Sequence, residues 1–244
     1  MGRFAGYVSE CLAVSKDGRW IAGGTMFGEV IVWDAKTFKK VFSHRDDAKN
    51  INGADFSPDS TRLISASRDG TVTIWDITSR KRVQTLEHTG SGWVTAAKYS
   101  PQGDRIATAT FGSVRVWDSN NGRLLQVGST SLYDTGLLWF SNHLFTMSDS
   151  KIKQIEASTG SAFSEWPVSK CDHFSCIALP EHGEFIACST RRIVTFWDTA
   201  THIDSVSSNT FKTYVRLHSH QTTGFSQLVE RAGKSPLIVC SPSR

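Results

Sequence analysis

A Trp-Asp pair returns along this chain at a fixed spacing, and few folds are compatible with that. The pair stands at Trp33-Asp34, Trp75-Asp76 and Trp117-Asp118, with equal intervals between them, and again at Trp197-Asp198 after an interval nearly twice as long. The wide gap holds one degenerate unit, marked by Ile155-Glu156 close to its middle. Self-similarity at a period of roughly 20–50 residues signals an array of supersecondary units, none of which can bury its apolar face alone.

Each unit repeats an internal plan, clearest in the second. Ala54 to Ser60 (ADFSPDS) reads as a strand running into a turn, and Arg62 to Ser67 (RLISAS) as a small-residue strand. Arg68-Asp69-Gly70 is a tight turn, and Thr71 to Asp76 (TVTIWD) alternates with the period of a strand. Arg82 to His88 (RVQTLEH) supplies a fourth strand before a polar loop. Related runs are Leu12 to Asp34, Lys98 to Asp118, the shortened Trp139 to Gly160, and Ile177 to Asp198. Short strands with turn signals about every ten residues are an all-β pattern.

With period, strand plan and Trp-Asp pair coinciding, the chain resembles the WD-repeat family of β-propellers over roughly residues 6 to 205, and its wording is similar to the repeat arrays of fungal signalling proteins. The resemblance implies an all-β propeller of four-stranded antiparallel blades, about five of them recognisable. The units run roughly 6–42, 43–84, 85–126, 127–165 and 166–205, making one propeller region over 1–205. Stacked radially, each small sheet covers its neighbour's face. Five units are fewer than the seven most common in related propellers, so the expected outcome is an open arc or a fragment of a longer protein, with a closed ring of five or six distorted blades as the alternative. The family likeness also implies that His44, Ser65, Asp69 and Trp75 form a structural hydrogen-bonded tetrad rather than a catalytic triad. Only the second unit has the full set. The first has Gly23 and Phe27 where the family has Ser or Thr and Asp, the third keeps His88, Thr108 and Trp117 but has Phe111 for Asp, the fourth keeps Asp149 but has Ile155 for Trp, and the fifth keeps Trp197 with Arg191 or Arg192 near the Asp position.

Composition removes several function classes. Net charge is +4, from 27 basic and 23 acidic residues, and the densest basic run is Arg80-Lys81-Arg82. That is no phosphate track, which argues against nucleic acid as a partner. Five cysteines at irregular spacing (Cys11, Cys171, Cys176, Cys188, Cys240) suit reduced thiols better than a disulfide framework. The N-terminus lacks the apolar core of a secretory signal, and no stretch approaches the roughly 18 apolar residues of a membrane span. The expected setting is therefore cytoplasmic, with nuclear as the alternative, and neither secreted nor membrane-bound. Cys171, His173 and Cys176 form C-x-H-x-x-C without a second ligand pair, so no metal is expected. No G-x-S-x-G elbow, Walker loop or dinucleotide fingerprint occurs, so neither cofactor nor small-molecule substrate is expected.

What remains is a protein-interaction scaffold whose loops carry the contacts. A propeller-based hydrolase and a nucleic-acid- or chromatin-associated propeller are the alternatives. The interblade loops are read at Ser43 to Asn50 and Glu87 to Trp93, and the turns carry Phe27, Arg68, Phe111 and Arg191. Trp, Tyr and Arg are enriched among residues that dominate binding energy. Arg45, Arg68, Trp93, Phe111 and Arg191 are therefore the candidate partner-binding set, with partners being other proteins. Phe27 and Phe111 have packing as an equal reading. After about residue 205 the period fails, and residues 206–244 read as a divergent, poorly ordered segment.

Overall fold

The computed structural model describes residues 8–45, 49–88, 92–129, 136–148, 151–159, 162–167, 174–178, 185–190 and 194–198. They form antiparallel meanders. The first sheet holds β1 (Val8–Val14), β2 (Trp20–Thr25), β3 (Glu29–Asp34) and β4 (Lys40–Arg45); the second β5 (Ile51–Phe56), β6 (Arg62–Ser67), β7 (Thr71–Asp76) and β8 (Lys81–Glu87). The third is β9 (Val94–Tyr99), β10 (Arg105–Thr110), β11 (Ser113–Asp118) and β12 (Leu124–Ser129). The fourth is β13 (Gly136–Phe140), β14 (His143–Ser148), β15 (Lys151–Glu156) and β16 (Ala162–Pro167). The fifth shows β17 (Phe174–Ala178), β18 (Phe185–Thr190) and β19 (Val194–Asp198) among the described residues. The first strands β1, β5, β9, β13 and β17 neighbour one another in that order, so the sheets are propeller blades set around a common axis.

The Trp-Asp pair has two separate jobs. The tryptophans of the second and third blades are buried, and each indole N–H donates across its own sheet: Trp75 Nε1 to Ser65 Oγ at 2.9 Å, Trp117 Nε1 to Thr108 Oγ1 at 2.8 Å. The aspartate instead caps the turn into the fourth strand. Asp34 Oδ1 accepts from the backbone of Lys36 and Thr37, Asp76 Oδ1 from Ser79, and Asp118 Oδ1 from Asn120 and Asn121. These bonds satisfy turn N–H groups that no ladder reaches, and they hold the three carboxyls below the ordinary aspartate range, at Asp34 with the Thr37 hydroxyl as the largest cause.

The core lies between blades rather than within them. Ala22, Val30, Val32 and Phe42 of blade 1 meet Ala54, Phe56, Leu63 and Trp75 of blade 2. Ile64, Val72, Ile74 and Leu86 of blade 2 meet Ala97, Tyr99, Ile106 and Trp117 of blade 3. Val114 and Val116 of blade 3 meet Leu137, Leu144 and Ile155 of blade 4, where Ile155 fills the tryptophan position. Burying one such Leu, Ile or Phe side chain contributes about 1.5–3 kcal/mol, so each seam is a core in its own right. Small residues on the second strands permit the close approach. A Cβ on Gly24 would lie 2.5 Å from Ile51 Cβ of the next blade. Polar links cross the seams as well: Lys98 Nζ to Asp55 Oδ1 at 3.0 Å, Gln84 Nε2 to the Asn121 carbonyl at 2.8 Å, and Arg62 to the Ser119 carbonyl at 3.2 Å.

Among the described residues, one face of the array is left uncovered. Ala54 and Phe56 of β5, and Ala97 and Tyr99 of β9, are buried against the preceding blade. The matching residues of β1, Leu12 and Val14, are 62% and 55% exposed. They match by register, because Val14 pairs with Ile21 as Phe56 pairs with Leu63 and Tyr99 with Ile106. The described blades therefore form an arc whose first blade keeps an open receiving face. Residues 206–244, Asp149, Cys171, His173, Arg191 and Arg192 lie outside the described residues. Among the described residues, no helix is long and apolar enough to cross a membrane and no cluster of three His, Cys, Asp or Glu side chains could hold a metal ion.

Candidate interaction face

The turns between second and third strands gather at one end with the loops that join successive blades. The Arg68-Asp69-Gly70 turn is built from its own side chains. Asp69 Oδ1 accepts from Thr71 N at 2.9 Å and Thr71 Oγ1 at 2.7 Å, and Gly70 takes φ +95°, a conformation that a side chain would strain. Ser67 Oγ donates to the Lys49 carbonyl at 3.0 Å, and Arg68 N to the Asn50 carbonyl at 2.9 Å, which pins the turn to the incoming loop.

Three of the five candidate contact residues come together there. The Arg68 guanidinium lies 4.7 Å from the centre of the Trp93 ring, and Trp93 tilts against Phe111 at 5.9 Å between centroids. Trp93 is 44% exposed and Phe111 41% exposed, so packing between them and availability to a partner coexist. Asn52 organises the group: its Oδ1 accepts from Arg68 Nε at 3.1 Å while its Nδ2 donates to the Val94 carbonyl at 2.8 Å. An exposed cation–π pair of this kind contributes about 0.5–1 kcal/mol, which favours keeping the guanidinium over the indole. Nothing in the one-dimensional pattern singles out Asn52, which falls between the loop read at Ser43 to Asn50 and the strand read from Ala54. Phe27 is 52% exposed on the matching turn of blade 1, with Met26 beside it. Arg45 is exposed at the end of β4.

His44 departs from the expected tetrad. β4 runs on to Arg45, so His44 is a strand residue paired with Val30, and the interblade loop begins later than Ser43. Its Nε2 is 2.7 Å from the Arg80 carbonyl, and its ring stacks on Trp75 at 4.9 Å between centroids. The Asp69 carboxylate is engaged by Thr71 instead. The reason is register: Val30 pairs with His44 as Val72 pairs with Leu86, so His44 takes the place of a core leucine on the neighbouring tryptophan. Trp75 and Ser65 do bond to each other. In the third blade, His88 is buried with its ring 5.3 Å from Trp117, and Trp117 bonds Thr108. Burial, with Arg115 nearby, pushes the His88 imidazole down to about 4.

Between blades 1 and 2, next to the Arg68 turn, a cleft of about 280 Å³ opens; Val30, Ser65, Thr73, Trp75, Asp69 and Arg82 are among the residues that line it.

Comparison with known proteins agrees with this architecture. The profile of the WD domain, G-beta repeat (WD40) matches residues 36–76 and 80–118. The chain is 31% identical to periodic tryptophan protein 2 homolog of Dictyostelium discoideum over 43% of its length, and covers 12% of that protein. It is 28% identical to a guanine nucleotide-binding protein subunit beta of Oryza sativa subsp. japonica over 51% of its length, covering 34% of that protein. WD repeat and SOCS box-containing protein 1 of Xenopus tropicalis is 29% identical over 40% of the chain, which spans 24% of it. The chain thus spans about a third or less of these curated relatives. Among solved structures, the Cps50 (Swd1) β-propeller domain of Myceliophteria thermophila superposes with a TM-score of 0.70 at 19% identity, over 85% of this chain and 69% of that one. Kuenenia stuttgartiensis hydrazine synthase gives 0.72 at 15% identity, over 81% and 65%. At such identities the likeness is one of fold.

Proposed function

We propose that this chain, a member of the WD-repeat β-propeller family, is a non-catalytic scaffold that holds other proteins on the face carrying its interblade loops. The observation that carries the proposal is the Arg68–Trp93–Phe111 stack. It is aromatic, half-exposed, contiguous across two blades and held in place by Asn52. Rigid aromatic and arginine side chains on a fixed scaffold bind with little ordering cost, which is why such groups dominate interface energetics. Arg45 and Phe27 extend the face toward blade 1, and Arg191 is proposed to extend it toward blade 5. The names of the relatives point the same way, since one is a G-protein subunit and another carries a SOCS box. A cytoplasmic setting, with nuclear as the alternative, goes with this reading.

The test is alanine substitution at Arg45, Arg68, Trp93, Phe111 and Arg191, followed by quantitative partner capture on the folded variants. Trp93→Ala alone is expected to weaken capture by roughly 30-fold, the effect of about 2 kcal/mol at a central anchor. Undiminished capture by the fivefold variant would remove the face from consideration.

A further inference from the structure

The guanidinium of Arg68 is held on one side and unclaimed on another. A guanidinium carries five N–H groups in a planar fork. In Arg68 the Nε–H is given to Asn52 Oδ1 at 3.1 Å, and the guanidinium carbon lies 4.7 Å from the centre of the Trp93 ring. The N–H groups on the two terminal nitrogens meet no protein acceptor among the described residues. No ion pair engages Arg68 among those residues either, although acids stand close along the chain and across the ladder. Asp69, next in sequence, has its Oδ1 occupied by the Thr71 N–H and hydroxyl. Glu87 is exposed and pairs across the ladder with Thr71. The fold therefore presents a partly buried cation beside an indole and leaves its charge without a protein counter-ion among the described residues.

Arginine meets a carboxylate through two parallel N–H···O bonds along one edge of its fork. With Nε committed to Asn52, the edge between the terminal nitrogens is the one that remains. An uncharged acceptor satisfies those N–H groups without meeting the charge, whereas a carboxylate does both. Phe111 leans on the same indole, 5.9 Å away between centroids, and both rings are half-exposed. A partner that reaches the cation thus finds an apolar surface beside it. An extended chain rises about 3.3 Å per residue, so an acidic and an apolar side chain roughly one to three residues apart span that distance. We propose that this face recognises a peptide segment carrying an aspartate or glutamate beside an apolar residue. The carboxylate takes the terminal nitrogens of Arg68, the apolar side chain lies on Trp93 and Phe111, and Asn52 is the positioning residue that fixes which edge of the fork is offered. The inference rests on the scaffold reading above, and it can fail while that reading stands.

The experiment uses the full 244-residue chain, ¹⁵N-labelled, at about pH 7, where a glutamate side chain is ionised. The probes are the blocked tripeptide acetyl-Leu-Gly-Glu-amide and its counterparts with glutamine or phosphoserine in place of glutamate. The indole N–H signals of the eight tryptophans are followed, with Trp93 assigned from Trp93→Phe. The glutamate peptide is expected to shift the Trp93 signal saturably, half-complete at a concentration on the order of millimolar, with indoles away from the face unmoved. The glutamine peptide should need at least about tenfold more. Arg68→Lys keeps the charge without the fork and should weaken the glutamate response about fivefold or more. Asn52→Asp supplies a carboxylate from within the chain and should remove the preference for glutamate over glutamine while the spectrum stays dispersed. Equal responses of the wild type to the glutamate and glutamine peptides would overturn the proposal, whether or not the variants fold. So would a Trp93 shift that is absent, non-saturable or shared by all indoles. A phosphoserine peptide that binds more than about tenfold tighter than the glutamate peptide would also overturn it, by assigning the site to phosphate. Partner capture by the fivefold alanine variant judges the scaffold reading separately: capture lost there, with the peptide titration negative, would remove the carboxylate assignment alone.

Discussion

His44 and His88 are two register positions apart in neighbouring blades, and that offset determines what each does. His44 replaces a core leucine and stacks on Trp75; His88 enters the seam beyond the strand end and is buried on Trp117. Burial gives His88 a pH signature. Its folded pKa is lowered to about 4 from 6.5, so between those values the unfolded chain binds the extra proton and the folded chain does not. Stability is then fully present above pH 6.5 and is lost as pH falls toward 4, by on the order of 3 kcal/mol in total. The turn carboxylates Asp17 and Asp59, already lowered from 3.8, lose their contribution only at lower pH. Urea midpoints at pH 7 and pH 5 should therefore differ for the wild type, and the difference should largely vanish in His88→Leu. An equal pH effect in both would show that another group carries it. The tetrad in the second unit was legible in types of residue but not in geometry. The stretch from His44 to Phe56 is longer by a single position than that from His88 to Tyr99, and this is informative only once β4 is known to reach Arg45.

Turns and strands were the most legible elements, because hydroxyl, carboxylate and glycine positions recur at fixed offsets from each tryptophan. The strands β6 and β7 occupy the spans expected from the small-residue and alternating patterns. Backbone conformation at the turn into the fourth strand was not legible. Phe38, Arg80 and Gly122 each stand at the same offset after a Trp-Asp tryptophan, and all three have left-handed φ, of 56°, 59° and 67°. Of these three, only Gly122 is the residue type suited to that conformation. Arg80→Gly relieves a cost of roughly 1–2 kcal/mol, partly offset by the freer unfolded chain, so a net gain of about 0.5–1 kcal/mol in urea unfolding is expected. The same backbone keeps the carbonyl that meets His44. Gly24→Ala acts in the opposite sense, since its methyl group would collide with Ile51 and the Cys11 sulfur. A loss of about 1–3 kcal/mol is expected from overpacking the first seam, and an unchanged midpoint would show that the blades yield there.

Across the whole array, the repeat period conveys the blades but not which of their faces are covered. The open receiving face of blade 1 becomes visible only by comparing Leu12 and Val14 with their buried counterparts in blades 2 and 3. Phe56→Ser should therefore cost about 3 kcal/mol or more, and Val14→Ser, at the same register, under about 1 kcal/mol. Comparable losses would mean that the face is covered in solution. The interaction face was half legible: residue types and loop positions named Arg68, Trp93 and Phe111, while Asn52, which aims the guanidinium, emerges only from the fold. The scaffold assignment is best probed by a photo-crosslinking side chain placed at Trp93 and, separately, at Val83 on the exposed outer strand of blade 2. After irradiation in cells, discrete protein adducts are expected from position 93 that competition or Arg68→Ala removes, and none of these from position 83. Identical adducts from both positions, or none from position 93, would contradict the assignment.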